Sequence, residues 1–196
     1  ALHYHTAKAF APLLISPMQR NDSLRIYLVN DYLEEKTGMT LELQWTGFSG
    51  KKLKTLRLPV ALPANSSAVV YEEPVSRVLN EVQRRESYLV VRLVDSQGNV
   101  QAGDVYFFNK TKDLNLPQPA IRFSLKEAAG SYELTLKSDK LAKDVFVEIP
   151  VHGTRFTDNF FDLLPGETKK IRVTTPKGEK IDAKTIKLNH IRATYP

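Results

Sequence analysis

With 196 residues, 42% of them hydrophobic and 26% charged, the chain falls in the ordinary globular range. It has room for one large all-β domain or two small ones, since domains most often hold roughly 100–150 residues. No apolar run approaches the roughly 20 residues of a membrane-crossing helix, and the absence of cysteine removes disulfides and thiolate metal sites. The net charge of +6 is spread as 14 basic against 12 acidic residues up to position 113 and 14 against 10 beyond it, which argues against the polarised basic face of a nucleic-acid binder.

The amino end, Ala1-Leu2-His3-Tyr4-His5-Thr6-Ala7-Lys8-Ala9-Phe10, carries no charged-then-apolar leader pattern. It starts inside a patterned stretch and reads as the tail of a longer element, so the chain is expected to be a fragment. Alternation of apolar and polar residues, the mark of a half-buried strand, then recurs. Leu24, Ile26 and Leu28 alternate with Arg25, Tyr27 and Val29 until a break at Asn30-Asp31. Leu41, Leu43 and Trp45 alternate with Glu42 and Gln44 before Gly47. The basic cluster Lys51-Lys52-x-Lys54 with Arg57, beside Gly50, reads as a solvated hairpin end. Val75, Val78, Leu79 and Val82 follow a helical i, i+3, i+4, i+7 spacing, with Pro74 suited to a first helical position. Leu89, Val91 and Leu93 return to period two, as do Val105 to Phe108.

Asp113-Leu114-Asn115-Leu116-Pro117-Gln118-Pro119 reads as a linker, because its prolines remove ladder donors and favour extended backbone. Beyond it the alternation restarts at Ile121, Phe123 and Leu125, and at Tyr132, Leu134 and Leu136. It continues at Val145, Val147 and Ile149, at Ile171 and Val173, and at Ile186, Leu188 and Ile191, giving six or seven strands. Leu164-Pro165-Gly166-Glu167 has the proline and glycine of a type II turn, and the expectation is a hairpin between Phe160–Leu163 and Thr168–Val173. The predicted fold is all-β: two immunoglobulin-like antiparallel β-sandwich domains in tandem, residues 1–113 and 114–196, with one short helix in the first.

No reaction chemistry assembles from these residues. His3-x-His5 is the only close histidine pair, and no carboxylate or thiolate completes a metal set around it. His152, beside a strand end, and His190, placed in the last strand, stand alone, and no Ser/His/Asp constellation forms. Glycoside hydrolysis needs two carboxyl groups across a pocket. The pairs Glu34-Glu35 and Glu72-Glu73 are adjacent, fall where loops are expected and read as solvated charge. No phosphate-cradling glycine motif occurs. The expectation is therefore no catalytic residue, no cofactor site and no metal site. Sugar binding on a sandwich needs exposed aromatic faces, for which Trp45, Tyr27, Tyr71, Tyr106, Phe48, Phe160 and Phe161 are the candidates, Trp45 being placed in the core by its alternation with Leu41 and Leu43. Sequons stand at Asn21, Asn65 and Asn109.

Two segments resemble a known family. Leu2-His3-Tyr4 followed by Ala7-Lys8-Ala9-Phe10-Ala11-Pro12 and Leu13-Leu14-Ile15 is similar to the junction after the catalytic barrel of glycoside hydrolase family 2 β-mannosidases, apart from Ala9, where a larger residue is usual. Thr157-Asp158-Asn159-Phe160-Phe161-Asp162-Leu163-Leu164-Pro165-Gly166-Glu167 resembles the signature of their terminal immunoglobulin-like domain. The resemblance implies a non-catalytic accessory region partnered with the barrel of its own parent chain, whose two glutamates perform retaining hydrolysis and have no counterpart here. The apolar runs and the charge distribution leave no membrane or nucleic-acid partner expected, and the resemblance implies a periplasmic or secreted location in bacteria or a lysosomal one in animals. The alternative readings are a carbohydrate-binding module with its own affinity for mannan-type sugars, and an adhesion or chaperone-like immunoglobulin pair unrelated to hydrolases.

Overall fold

The computed structural model describes residues 10–128, 130–176 and 179–195. By their contacts they divide into two compact units, one built on Lys51–Asn115 and the strands up to Gly47, the other on the residues from Leu116 onward.

The first unit is a seven-stranded antiparallel sandwich. Strands β1 (Leu13–Arg20), β2 (Ser23–Asn30) and β5 (Ser66–Pro74) form one sheet in the order β1-β2-β5. Strands β3 (Lys36–Gly47), β4 (Lys52–Leu62), β6 (Ser87–Val94) and β7 (Val100–Phe107) form the other in the order β4-β3-β6-β7. The period-two rows become the core: Leu24, Ile26 and Leu28 of β2 face Leu41, Leu43 and Trp45 of β3 and Leu89, Val91 and Leu93 of β6, all buried. Each large aliphatic side chain removed from water contributes roughly 1.5–3 kcal/mol, so these rows set the register. A slip of one residue would turn each of them to solvent. Central strand β6 is buried on both faces apart from Arg92.

Two details depart from the sequence reading. The helix expected from Pro74 to Val82 begins later, as α1 (Glu81–Glu86), behind a 3-10 turn at Val75–Arg77. Val75 and Leu79 are buried, but Val82 is 62% exposed. The start is set by Asn80, whose side chain accepts from the Gln83 amide at 2.9 Å while the Gln83 side chain accepts from the Asn80 amide at 2.9 Å, a capping box that outweighs hydrophobic spacing. The break at Asn30 is also later than expected, because Asn30 ends the inward row of β2 and is completely buried.

In the stretch read as a linker, Leu114, Leu116 and Pro119 are buried. Asn115 is tied through its amide to the Arg85 carbonyl at 2.9 Å and through its side chain to Glu86 at 3.0 Å.

The second unit is again a seven-stranded antiparallel sandwich. Strands β8 (Ile121–Ala128), β9 (Ser131–Ser138), β11 (Arg155–Phe156) and β13 (Lys169–Thr174) form the sheet β11-β13-β9-β8. Strands β10 (Ala142–Glu148), β12 (Phe161–Leu163) and β14 (Lys187–Asn189) form the sheet β12-β10-β14. Leu134, Leu136, Val145, Val147, Leu163, Ile171 and Val173 fill the space between the sheets.

The turn at Leu164–Glu167 has its expected form, with the Glu167 amide donating to the Leu164 carbonyl at 3.2 Å and Gly166 at φ +79°. It does not close a hairpin. β12 pairs with β10, whereas β13 pairs with β9 and β11, so the turn carries the chain from one sheet to the other. Turn chemistry fixes the local reversal, and the buried faces of Phe161, Leu163, Ile171 and Val173 decide which sheet each strand joins.

Candidate functional site

The segment with the strongest sequence signal, Asp158–Glu167, is a set of structural fastenings. Asn159 is buried beside β10 and copies a strand neighbour there. Its Oδ1 accepts from the Val147 amide at 2.9 Å and its Nδ2 donates to the Val147 carbonyl at 3.0 Å. The same Oδ1 accepts from the Phe160 amide at 3.0 Å, closing a local loop that holds Phe160 in left-handed backbone at φ +61°. That backbone throws the two aromatic rings to opposite sides. Phe161 enters the core, and Phe160 stacks on Phe146 with centroids 4.5 Å apart and planes 21° from parallel. The strand expected over Phe160–Leu163 begins one residue later, as β12, and leaves Phe160 outside it.

The flanking carboxylates are equally engaged. Asp158 pairs with Lys169 at 2.5 Å, and the Lys169 ammonium lies 4.9 Å from the Phe161 ring. Asp162 accepts from the Asp144 amide at 2.9 Å and lies 3.5 Å from Lys143. Burial pushes the Asp162 carboxyl above its ordinary value of 3.8, against the pull of the Lys143 charge. Asp144 sits at φ +52° where the β10–β12 register shifts, so Asp162 steadies a bulge.

The acidic pairs fare as single groups. Glu34 and Glu35 are exposed in the loop before β3, Glu34 lying 3.6 Å from Lys36. Glu72 and Glu73 lie in strand β5 rather than a loop, and their side chains find different partners. Glu72 bonds Ser23 at 2.6 Å and Arg25 at 3.0 Å. Glu73 accepts from the Tyr71 hydroxyl and from Lys54 Nζ at 2.9 Å, and Lys54 Nζ lies 5.1 Å from the centre of the Trp45 ring. Burial works against the charged form of Glu73, but the bonds from Tyr71 and Lys54 outweigh it and hold the carboxyl below its ordinary value of 4.5. Burial, with Glu73 as its partner, pushes the Tyr71 hydroxyl above its usual range. Lys54, assigned by sequence to a solvated hairpin end, therefore joins β4 to β5 through an ion pair.

Of the remaining aromatic candidates, Trp45 is 1% exposed and Phe48 is buried, so neither offers a face to a sugar. Tyr27, Tyr71 and Tyr106 are half-buried. His3 and His5 lie outside the described residues, as does most of the Leu2–Ile15 resemblance. His152 is exposed. His190 follows β14 rather than lying in it, and its ring is held below its usual range first by burial and then by Arg192. Among the described residues no group of three or more His, Asp or Glu side chains could hold a metal ion. Asn21 and Asn65 occupy turns in left-handed backbone, at φ +54° and +45°. That conformation suits asparagine whatever its modification.

The sequence reading missed a charged row on the outward face of the β4-β3-β6-β7 sheet. Glu42 stands opposite Arg57 on one side and Arg92 on the other, with Arg57 at 2.9 Å. The row crosses a shallow groove of about 770 Å³ whose lining also includes Thr40, Asp95 and Ser96 and no aromatic ring. The signal was present in the polar positions of the β3 and β6 alternation, but cross-strand register is not written in either strand alone. Planar guanidinium and carboxylate groups can hydrogen-bond a polyol, although a ring to stack on a pyranose is missing from this lining.

Residues 22–113 match the family of mannosidase Ig/CBM-like domains, and residues 116–194 match an Ig-fold domain family of mannosidases. Each segment belongs to its own family, residues 22–113 to the mannosidase Ig/CBM-like domains and residues 116–194 to the Ig-fold domains. It is 26% identical to β-mannosidase A of Emericella nidulans over 91% of its own length, and 27% identical to the β-mannosidase of Capra hircus over 87%. It spans about 20% of the length of each of these relatives. A crystal structure of β-D-mannosidase from Dictyoglomus thermophilum is similar with a TM-score of 0.77 at 26% identity, over 96% of this chain and 23% of that one. The Asp158–Glu167 signature thus lies in the mannosidase Ig-fold region, and the charged groove lies in the Ig/CBM-like region.

Proposed function

We propose that this chain is the non-catalytic, architectural pair of domains of a β-mannosidase, with separable domains over residues 1–113 and 114–196. Hydrolysis of terminal β-D-mannose residues, with retention, belongs to a barrel elsewhere in the longer polypeptide. The observation that carries the reading is the use made of the family signature. Asn159, Asp158 and Asp162 are committed to strand β10, Lys169 and the β10 bulge, so the signature works as a fastening. The fraction of the relatives that the chain spans supports the same reading. The compartment that goes with it is periplasmic or extracellular in a bacterium and lysosomal in an animal. The test is to assay the 196-residue chain and the product of the complete gene side by side on a chromogenic β-mannoside. Turnover by the complete chain alone is the expected result, and comparable turnover by the 196 residues would end the proposal.

The Arg57–Glu42–Arg92 row favours a second reading, in which the first domain binds mannan-type sugars directly. Calorimetry with manno-oligosaccharides decides it. Binding that Glu42→Ala abolishes would support this reading, and no heat at millimolar sugar would remove it.

A further inference from the structure

Leu33 is 88% exposed and Phe10 83%, whereas the other exposed large hydrophobic residues among those described range from 37% to 62%. A lone surface leucine is ordinary, but this one is held out by a rigid device. The loop between β2 and β3 is pinned by the completely buried Asn30. Its Oδ1 accepts from the Tyr32 amide at 3.2 Å, and its Nδ2 donates to the carbonyls of Glu34 and Pro63, each at 2.9 Å. Two backbone bonds complete the brace: the Asp31 amide donates to Pro12 at 2.8 Å and the Asn65 amide donates to Tyr32 at 2.9 Å. Phe10 lies two residues before the first of these bonds and Leu33 two residues after it. Four residues after Phe10 and four before Leu33, on the outward side of the sheet, Leu14 and Val29 stand directly opposite one another and half-buried.

A floppy loop could fold its leucine onto the nearest apolar surface. A braced loop cannot, so the ordering entropy of a contact is already met and the side chain is presented for docking. The rim carries three exposed carboxylates, Asp31, Glu34 and Glu35, against one lysine, Lys36, which lies 3.6 Å from Glu34.

We infer that Phe10, Leu33 and the Leu14–Val29 pair form a docking surface for a region of the same polypeptide outside these 196 residues, an apolar pocket with a basic rim. The inference rests on the reading that the chain is part of a longer β-mannosidase. The size of the patch selects a tethered occupant. A few large side chains offer on the order of a few hundred Å², well short of the roughly 1,000 Å² that a free partner or a second copy needs. A neighbour in the same polypeptide, held at high effective concentration, needs far less. Such a neighbour is at hand in the relatives, of which this chain spans about 20%.

The chain contains no cysteine, so a single introduced thiol reports its own accessibility. Leu33→Cys, and Val100→Cys as a control at a position 57% exposed, are placed in the 196-residue chain and in the product of the complete gene. Maleimide labelling is followed by mass spectrometry of the peptide that carries each site. The expected result is labelling at position 33 at least roughly tenfold slower in the complete chain, the scale set by burying one large apolar side chain, with position 100 equally reactive in both. Equal rates at position 33 overturn the inference. So does concentration-dependent protection of position 33 in the 196-residue chain, which would assign the surface to a second copy. Hydrolysis of a β-mannoside, measured on the same complete-chain preparation, reports separately on the parent's identity. Protection without hydrolysis would leave the docking surface standing and remove the enzyme it was assigned to.

Discussion

Replacing Asn159 with alanine removes a side chain that makes three hydrogen bonds to backbone groups, two of them to Val147, which is fully buried. The Val147 amide and carbonyl lose these partners on the side of β10 away from β14. An unsatisfied buried polar group costs about 1–3 kcal/mol. With two such groups and partial relaxation, the expected loss is about 3 kcal/mol, a large share of the roughly 5–15 kcal/mol that holds a domain folded. For a unit of this size, each kcal/mol moves the thermal midpoint by about 4–8 °C, so a fall of roughly 12–24 °C is expected. The chain's one tryptophan, Trp45, lies in the first unit, which allows a differential readout in urea. Circular dichroism follows both sandwiches, and Trp45 fluorescence follows the first. The variant should unfold with a new early phase by circular dichroism while the fluorescence midpoint stays where it was. A loss below about 0.5 kcal/mol, the scatter of surface substitutions, would refute the role given to Asn159. An equal shift of the fluorescence midpoint would refute the independence of the two domains.

Glu73→Gln tests the ion pair with Lys54. The folded carboxyl is held below 4.5, so its stabilising contribution is present above that pH and fades as the pH falls through the folded value. The variant should be less stable than the parent at pH 7 and equal to it in strong acid, by urea midpoints read from Trp45 fluorescence; a difference that persists in strong acid would assign the effect to packing. Gly166→Ala places a side chain at φ +79° where no neighbour lies within 4 Å, so the cost is conformational alone, about 1–2 kcal/mol. A neutral result in the second unit's urea transition would show that the turn relaxes to another type.

Much of the fold was legible because its cause is local. Inward rows such as Leu24-Ile26-Leu28 and Leu41-Leu43-Trp45 declare both strand and face, and Pro165-Gly166 declares its turn. Pairing is not local, which is why the turn after Leu164 was read as a hairpin although its strands lie in different sheets. The helix was displaced because Val82 fits the spacing of Val75, Val78 and Leu79, whereas the decisive signal was the polar pair Asn80 and Gln83. Asn30 looked like a break and is a buried brace, since a side chain that bonds the carbonyl of Pro63, 33 positions further on, cannot be told from a turn asparagine by its neighbours in sequence. The Asp158–Glu167 signature was visible at once, but its chemical role was not. Only the bonds to Val147 and Lys169 show carboxylate and amide groups engaged in holding strands.

The claim that these domains contribute architecture and not chemistry is tested most directly in the complete enzyme carrying Asn159→Ala. At a temperature where the variant remains folded, kcat/KM for a β-mannoside should equal that of the parent, while the half-life of activity on heating should shorten several-fold. A fall in kcat/KM with the fold intact, or an unchanged half-life, would contradict the account.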